Sequence, residues 1–172
     1  LFLGTAISIF IIRETTRKNR EIYFQAHHDA LTQLPNRKEF EYRLQLAVET
    51  AQEKNLEHAL CFLDLDQFKI INDTCGHNAG DELLICISKL IHEKVRHHDT
   101  LGRLGGDEFG ILMEKCSLEK ALKISEDIVN RVSNYKFNWE NRTFHIGVSI
   151  GLVPVNRDTK NITSLMSEAD VA

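Results

Sequence analysis

The chain has 172 residues, of which 42% are hydrophobic and 27% charged, and this balance predicts one globular domain with a short appendage. The formal net charge of −4 argues against a broad basic surface, so no nucleic-acid polymer is expected as a partner and any bound nucleotide should be small. The four cysteines form no CxxC pair and have no histidine at zinc-ligand spacing, which favours reduced thiols in a cytosolic domain.

The first segment, LFLGTAISIFII (residues 1–12), is apolar throughout but shorter than the roughly 20 residues that span a bilayer. Four cations follow between Arg13 and Arg20, a flank typical of the cytoplasmic side of a membrane. We therefore expect residues 1–12 to be the end of a transmembrane helix and residues 13–28 to be a cytoplasmic linker helix. A buried amphipathic helix is disfavoured because the segment has no polar face.

The next elements are a helix, a strand and a helix. A turn at Pro35 and Asn36 precedes apolar residues at helical spacing, which predicts a helix starting there. The short apolar run ALCFLDL (59–65) predicts a central strand, and GHNAGDELLICISKLIHEKVR (76–96) returns to helical spacing. The apolar stripes are Phe40, Leu44 and Val48 in the earlier helix, and Leu84, Ile87, Ile91 and Val95 in the later one.

A central hairpin follows. TLGRL (100–104) and EFGILME (108–114) predict two strands, and Gly105–Gly106 between them is typical of a two-residue hairpin turn. A helix, a strand and a last helix are then predicted over residues 118–135, 144–155 and 162–172. Strands alternating with helices around one hairpin predict an α+β fold of the ferredoxin-like, split βαβ type, with a central antiparallel sheet preceded by an N-terminal helix.

Acidic residues end two of the predicted strands. Asp64 and Asp66 share one face of their strand, because residues two apart do so, and Asp107 and Glu108 form the hairpin tip. If the strand pairs beside the hairpin, these carboxylates converge, and like charges repel unless a divalent cation such as Mg²⁺ lies between them. The alternatives are a strand-end Asp that caps a turn and a purely structural glycine turn.

From about Asp29 onward the chain resembles the GGDEF family of diguanylate cyclases. The resemblance implies a cyclase or polymerase-palm type of the predicted fold over residues 29–172. Family members continue beyond the position of residue 172 with a Lys and an Arg that contact phosphates, so the domain is expected to lack its C-terminal end. Together with the N-terminal segment, the resemblance implies a location at the bacterial inner membrane, with the domain in the cytoplasm. The motifs that carry it are DALTQLPNR (29–37), DLDQFKIINDTCGHNAGDELL (64–84), RHHD (96–99), GGDEF (105–109), VSIGL (148–152) and EADVA (168–172).

The activity that this resemblance implies is synthesis of cyclic di-GMP and pyrophosphate from two GTP. Two domains would meet face to face as a homodimer, so that each ribose 3′-hydroxyl attacks the α-phosphate of the other GTP. Mg²⁺ is the implied cofactor, with Mn²⁺ as a substitute. By motif position, Asp64, Asp107 and the backbone carbonyl of Leu65 would hold the metal, and Asp107 or Glu108 would accept the hydroxyl proton.

The same resemblance implies a substrate site and a separate inhibitory product site. A carboxylate such as Asp81 can accept hydrogen bonds from the guanine N1–H and amine, a donor pair that adenine lacks. Gly105 and Gly106 allow a phosphate or base to approach the backbone. The residues implied for guanine and its surroundings are Asn72, His77 and Asp81, and those implied for the phosphates are Gln67, Phe68 and Lys69. The residues implied for binding of the inhibitory product are Arg96 and Asp99 of RHHD.

The sequence leaves several alternatives open. Asn72–Asp73 could be an ordinary turn, Asp81 a charge favoured by a helix N-terminus, and His77 a loop histidine. Arg96 could simply decorate a helix C-terminus. For the whole domain, the alternatives to an active cyclase are a non-catalytic GTP- or cyclic di-GMP-binding domain that regulates a neighbouring phosphodiesterase or other output domain, and a scaffold that dimerises through the N-terminal helix.

Overall fold

A computed structural model describes the backbone of residues 2–171 and the side chains of residues 12–169. Leu1 and Ala172, the ends of the two terminal segments, lie outside the described residues. The elements in chain order are α1 (Phe2–His27), α2 (Arg37–Lys54), β1 (His58–Asp66), α3 (Phe68–Cys75), α4 (His77–His92), β2 (Thr100–Gly105), β3 (Glu108–Met113), α5 (Leu118–Ser133), β4 (Lys136–Trp139), β5 (Arg142–His145), β6 (Gly147–Val155) and α6 (Ile162–Val171).

The centre of the fold is a four-stranded sheet of order β2-β3-β1-β6 in which all neighbours are antiparallel. This order is that of the split βαβ plan, so the predicted fold class is confirmed. Alternate residues of β1 face opposite sides. Cys61 and Leu63 belong to the core formed with α4 and α5, whereas Leu60 and Phe62 belong to the core formed with α2 and α6. Both faces of β1 are therefore covered, which explains its nearly continuous apolar sequence.

Helix α2 is held closely against the hairpin formed by β2 and β3. It begins where predicted, because the side chain of Asn36 caps it by accepting a hydrogen bond from the Glu39 backbone N–H at 3.0 Å. Phe40 is fully buried and lies over glycines of both strands. A Cβ atom at Gly110 would lie 2.6 Å from Phe40 Cζ, and one at Gly102 would lie 2.9 Å from Phe40 Cδ2. The two glycines thus let the start of α2 approach the sheet closely.

Several elements differ from the sequence prediction. The short helix α3 was not predicted, and Ile71 is its one buried residue in the part of the chain that the structure describes. The hairpin of β4 and β5 was also missed, because each strand has four residues and too short a pattern to detect. Helix α4 ends at His92, so Val95 and Arg96 lie beyond it rather than in its last turn.

The N-terminal helix is continuous from Phe2 to His27 and joins the two predicted segments without a break. Its apolar stretch ends at Ile12, and charged residues begin at Arg13 within the same helix. Among the described residues, no helix combines the length and the apolar character that crossing a membrane requires. This finding overturns the predicted location at the bacterial inner membrane.

A buried carboxylate joins α1 to α2. Glu39 Oε2 lies 2.7 Å from His27 Nδ1, and Glu39 Oε1 accepts a hydrogen bond from Arg43 Nε at 2.7 Å. Burial alone would raise the pKa of Glu39, but the hydrogen bonds and charges of Arg43 and His27 outweigh burial and hold that pKa below its ordinary value. The ionised form of Glu39 is therefore part of the folded junction.

We expect this junction to weaken in acid. A carboxylate whose pKa is lowered by folding stabilises the fold above its unfolded pKa, and that contribution is lost as the pH falls through the folded pKa. The melting temperature of the wild type should therefore decrease as the pH is lowered below about 4.3. The decrease should be less steep in Glu39→Gln, which is already less stable than the wild type at neutral pH. Thermal unfolding between about pH 3 and 7, with the exposed Glu53→Gln as control, measures the effect. The same pH dependence in Glu39→Gln and wild type would contradict it.

Candidate active site

Two carboxylates face each other across neighbouring strands. Asp64 lies near the end of β1, and its Cα partner in β3 is Glu108. Both residues lie on the sheet face that packs on α2, because each is an even number of residues from the buried side chains of that face. Side chains directly opposite on one face have Cβ atoms about 4.5–5.5 Å apart. The prediction that β1 pairs beside the hairpin and brings these acids together is confirmed.

The hairpin turn is displaced by one residue from its predicted position. Gly105 belongs to β2 and pairs with Glu108, so the turn consists of Gly106 and Asp107. Gly106 has φ +52°, in the left-handed region that glycine adopts without strain. The register shifts between Arg103 and Gly105, which marks an irregularity just before the turn. Asp107 therefore sits in the turn itself and Glu108 begins β3.

Two arginines hold the hairpin, Arg103 from within β2 and Arg37 from α2. Arg103 donates to the Gly106 carbonyl from Nε (3.0 Å) and Nη2 (2.8 Å), and its Nη1 donates to Asp29 Oδ1 at 3.0 Å. Burial would raise the pKa of Asp29, but hydrogen bonds from Thr32 and Arg103 outweigh it and lower that pKa. Arg37 donates from Nε to the Leu104 carbonyl at 2.9 Å and from Nη2 to Glu108 Oε2 at 3.1 Å.

Sequence reasoning assigned no role to Asp29, Arg37 or Arg103. The available signal was the position of Asp29 and Arg37 at the two ends of DALTQLPNR and of Arg103 two residues before Gly105 in GRLGG. Nothing in spacing alone places residue 37 beside residue 108, because the contact depends on α2 packing over the sheet. The segment from residue 29 to residue 37 is thus a tertiary support for the carboxylate hairpin.

The predicted phosphate residues lie where β1 turns into α3. Gln67 is exposed and has φ +62°, a left-handed conformation that reverses the chain between the strand and the helix. Phe68 and Lys69 then form the first turn of α3, where backbone N–H groups without intrahelical partners favour anions. The geometry is compatible with the predicted contacts to phosphates, which stay a prediction.

The predicted guanine residues lie on the helix pair α3 and α4, joined at Gly76. Asn72 is on α3, so it is not part of an ordinary turn, and His77 and Asp81 are exposed on the first turns of α4. A Cβ atom at Gly80 would lie 2.1 Å from Asn72 Oδ1, which means that the amide of Asn72 rests directly on the backbone of α4. Asn72 on α3 and Asp81 on α4 therefore lie on two helices that are in direct contact.

Carboxylate oxygens are the donors available for a metal ion. In the part of the chain that the structure describes, no three His, Cys, Asp or Glu side chains converge closely enough to hold a metal. Mg²⁺ usually binds through one or two carboxylates together with waters and substrate phosphates, so a closed protein cage is not required. The hard oxygens of Asp64 and Asp107 and the Leu65 carbonyl fit that requirement by their chemistry.

The RHHD segment forms its own turn between α4 and β2. Arg96 donates from Nε to Asp99 Oδ2 and from Nη2 to Asp99 Oδ1, both at 2.8 Å, and the Glu114 backbone N–H donates to Asp99 Oδ1 at 3.1 Å. The Asp99 side chain is 1% exposed and that of Arg96 is 38% exposed. The explanation of Arg96 as a helix end is therefore wrong. Arg96 is the accessible member of the pair, beside a cavity of about 350 Å³.

Residues 26–172 match the sequence profile of the family described as "Diguanylate cyclase, GGDEF domain". The chain belongs to the GGDEF family. This is the family that the motifs predicted, and its profile is that of the diguanylate cyclases. Probable diguanylate cyclase DgcE of Escherichia coli (strain K12) is 39% identical over 170 residues, which cover 99% of this chain and 15% of that protein.

A further relative and a solved structure extend this comparison. Cyclic di-GMP phosphodiesterase PdeB of Shewanella oneidensis is 32% identical over 99% of this chain and 19% of that protein. The crystal structure of the coiled coil and GGDEF domain of DgcB from Caulobacter crescentus, in complex with c-di-GMP, superposes with a TM-score of 0.90 at 27% identity, covering 97% of this chain and 88% of that one. The chain thus spans less than a fifth of the length of DgcE and of PdeB.

Proposed function

We propose that this GGDEF domain synthesises cyclic di-GMP from two GTP, in a Mg²⁺-dependent reaction across a homodimer. The observation that carries the proposal is the direct pairing of Asp64 with Glu108, with Asp107 in the adjoining turn. A purely structural strand end would not require two like charges opposite each other, since such pairs destabilise a sheet. This arrangement argues against the scaffold alternative.

In the proposed reaction, the ribose 3′-oxygen of one GTP forms a bond to the α-phosphorus of the other, and the bond to pyrophosphate breaks. Asp107 or Glu108 accepts the proton of the attacking hydroxyl. Lys69 and the first backbone N–H groups of α3 would orient the phosphates, and Asn72 and Asp81 would orient guanine. The second domain is needed because each site holds one GTP and the two must meet.

Asp64, Asp107 and the Leu65 carbonyl would hold the Mg²⁺ ion. When bound, the ion would neutralise charge that develops on the phosphate oxygens and the attacking oxygen. The chain's own contribution is to keep two carboxylates on one face of the sheet, next to a turn in which Gly106 leaves the approach to the backbone open.

The deciding experiment is incubation of the full-length protein with GTP and Mg²⁺, followed by chromatography for cyclic di-GMP and pyrophosphate. Formation of both products supports the cyclase. GTP or cyclic di-GMP binding without product formation would instead favour the regulatory alternative, which the resemblance to a relative named as a phosphodiesterase keeps in view.

We expect Asn72→Ala and Asp81→Ala each to weaken GTP binding by about 1–3 kcal/mol, the usual cost of leaving a buried polar partner unsatisfied. ATP binding should change little, because adenine lacks the N1–H and amine donor pair. Calorimetric titration of both nucleotides measures this, with Asn78→Ala on the exposed surface of α4 as control. Equal losses for GTP and ATP would make these residues structural.

We also propose that cyclic di-GMP inhibits synthesis by binding at RHHD, at the opposite end of β2 from the catalytic turn. Arg96→Ala should relieve product inhibition while turnover at low product concentration is retained, because the planar guanidinium is the accessible group. Inhibition constants measured for Arg96→Ala, Arg96→Lys and the exposed control His97→Ala test this. Since Arg96 also pairs with Asp99, each variant needs a melting curve. Unchanged inhibition in folded Arg96→Ala would reduce RHHD to a structural turn.

A further inference from the structure

The opposed carboxylates of β1 and β3 create an electrostatic problem that the fold must manage. Asp64 and Glu108 are direct cross-strand partners, and like charges in that position destabilise a sheet. Glu108 receives a cation from outside the sheet, because Arg37 Nη2 lies 3.1 Å from its Oε2. Arg37 is the first residue of α2 and comes from the segment that precedes the sheet in the chain.

The guanidinium of Arg37 makes two different contacts with the hairpin. Besides the Glu108 carboxylate, it binds the Leu104 carbonyl through Nε at 2.9 Å. One contact is on the strand that enters the turn and the other on the strand that leaves it, so a rigid planar group joins both sides of the Gly106–Asp107 turn. The base of the side chain is also fixed, because Asn36 caps α2 and Phe40 is buried against the two strands.

We propose that Arg37 is a positioning residue of the proposed cyclase, which holds the Glu108 carboxylate and the turn in the geometry needed for synthesis. This inference rests on the proposed function and adds to it a group outside the carboxylate and nucleotide sites. Arg37 is 50% exposed and Glu108 is 35% exposed, so the ion pair adds little to global stability. We expect the ion pair to act on the orientation of the Glu108 carboxylate and the adjoining turn, where a displacement of about 1 Å can lower turnover a hundredfold.

The charge of Arg37 and its planar pair of donors can be separated by substitution. Arg37→Lys keeps the positive charge near Glu108 but cannot supply two donors from a planar fork. Arg37→Ala removes both the charge and the fork. Lys38→Ala removes a neighbouring exposed cation on α2 and serves as the matched control.

The first measurement is steady-state kinetics of the full-length protein with saturating Mg²⁺. We expect Arg37→Ala to lower kcat about 10- to 100-fold with little change in KM for GTP, because the predicted nucleotide contacts lie on α3 and α4. Arg37→Lys should recover part of that loss, and Lys38→Ala should match wild type. Wild-type kcat in Arg37→Ala, or a raised KM with unchanged kcat, would overturn the proposal, the latter by making Arg37 a substrate contact.

The second measurement needs no nucleotide or activity. A double-mutant cycle of Arg37→Ala and Glu108→Gln is followed by thermal unfolding in EDTA. Arg37→Ala should lower the melting temperature by about 1–4 °C in wild type and by clearly less in Glu108→Gln, where the opposed charge is gone. Additive effects would overturn the proposal, because Arg37 would then act independently of Glu108. Absence of cyclic di-GMP synthesis by wild type would refute the proposed cyclase but would leave this cycle interpretable.

Discussion

Asp64→Asn and Asp107→Asn should each abolish cyclic di-GMP synthesis while the fold is retained. Each substitution removes a charge from the proposed metal site without changing the volume of the side chain, and loss of turnover of at least about a hundredfold is expected. Asp64 is exposed at the end of β1 and Asp107 lies in the turn, so neither substitution disturbs the apolar core.

Stability gives a second readout for these variants. Because Asp64 is paired with Glu108, Asp64→Asn removes one of two opposed charges and should leave the melting temperature of the metal-free protein unchanged or raise it. Product formation and thermal unfolding should be measured side by side, with the exposed Asp73→Asn on α3 as control. Turnover at the wild-type rate in either variant would refute the metal assignment.

Gly80→Ala should disable the proposed guanine site while leaving the fold nearly as stable. The new methyl group would lie 2.1 Å from Asn72 Oδ1 and 3.1 Å from Phe68 Cζ, so the amide of Asn72 must turn away. Overpacking costs about 1–3 kcal/mol, but alanine also gains about 1 kcal/mol over glycine inside a helix, so the net change in stability is small. The affinity for GTP should fall about tenfold or more, because guanine loses an oriented partner.

A double substitution isolates the cause of that loss. In an Asn72→Ala background, Gly80→Ala should weaken GTP binding little further, since the displaced group is already absent. Titration with GTP and a melting curve for each variant provide the two quantities. Normal GTP affinity in Gly80→Ala would separate Asn72 from guanine recognition, whereas a large loss of stability would indicate that α3 and α4 had come apart.

The sequence by itself determined the main elements and the place of the carboxylates. Helix α2, strand β1 and the hairpin follow from local periodicity and turn residues, which act over a few neighbouring positions. The pairing of Asp64 with Glu108 could be inferred because a short apolar run beside a hairpin has few ways to join one sheet. The sequence also identified the family, because several of the family's motifs, among them DALTQLPNR and GGDEF, occur in series along the chain.

Only the tertiary structure decided what supports the site. The contacts of Arg37 with Leu104 and of Arg103 with Asp29 join residues far apart in sequence. The contact of Arg37 exists because Phe40 packs α2 onto two glycine-containing strands. The RHHD turn likewise depends on tertiary structure, because α4 ends before it. Within this turn, Asp99 is buried by its contacts with Arg96 and with the backbone of residue 114. Local sequence preferences determine where helices and strands form. Packing between distant segments determines which polar side chains contact each other, and the periodicity of the sequence carries no information about those contacts.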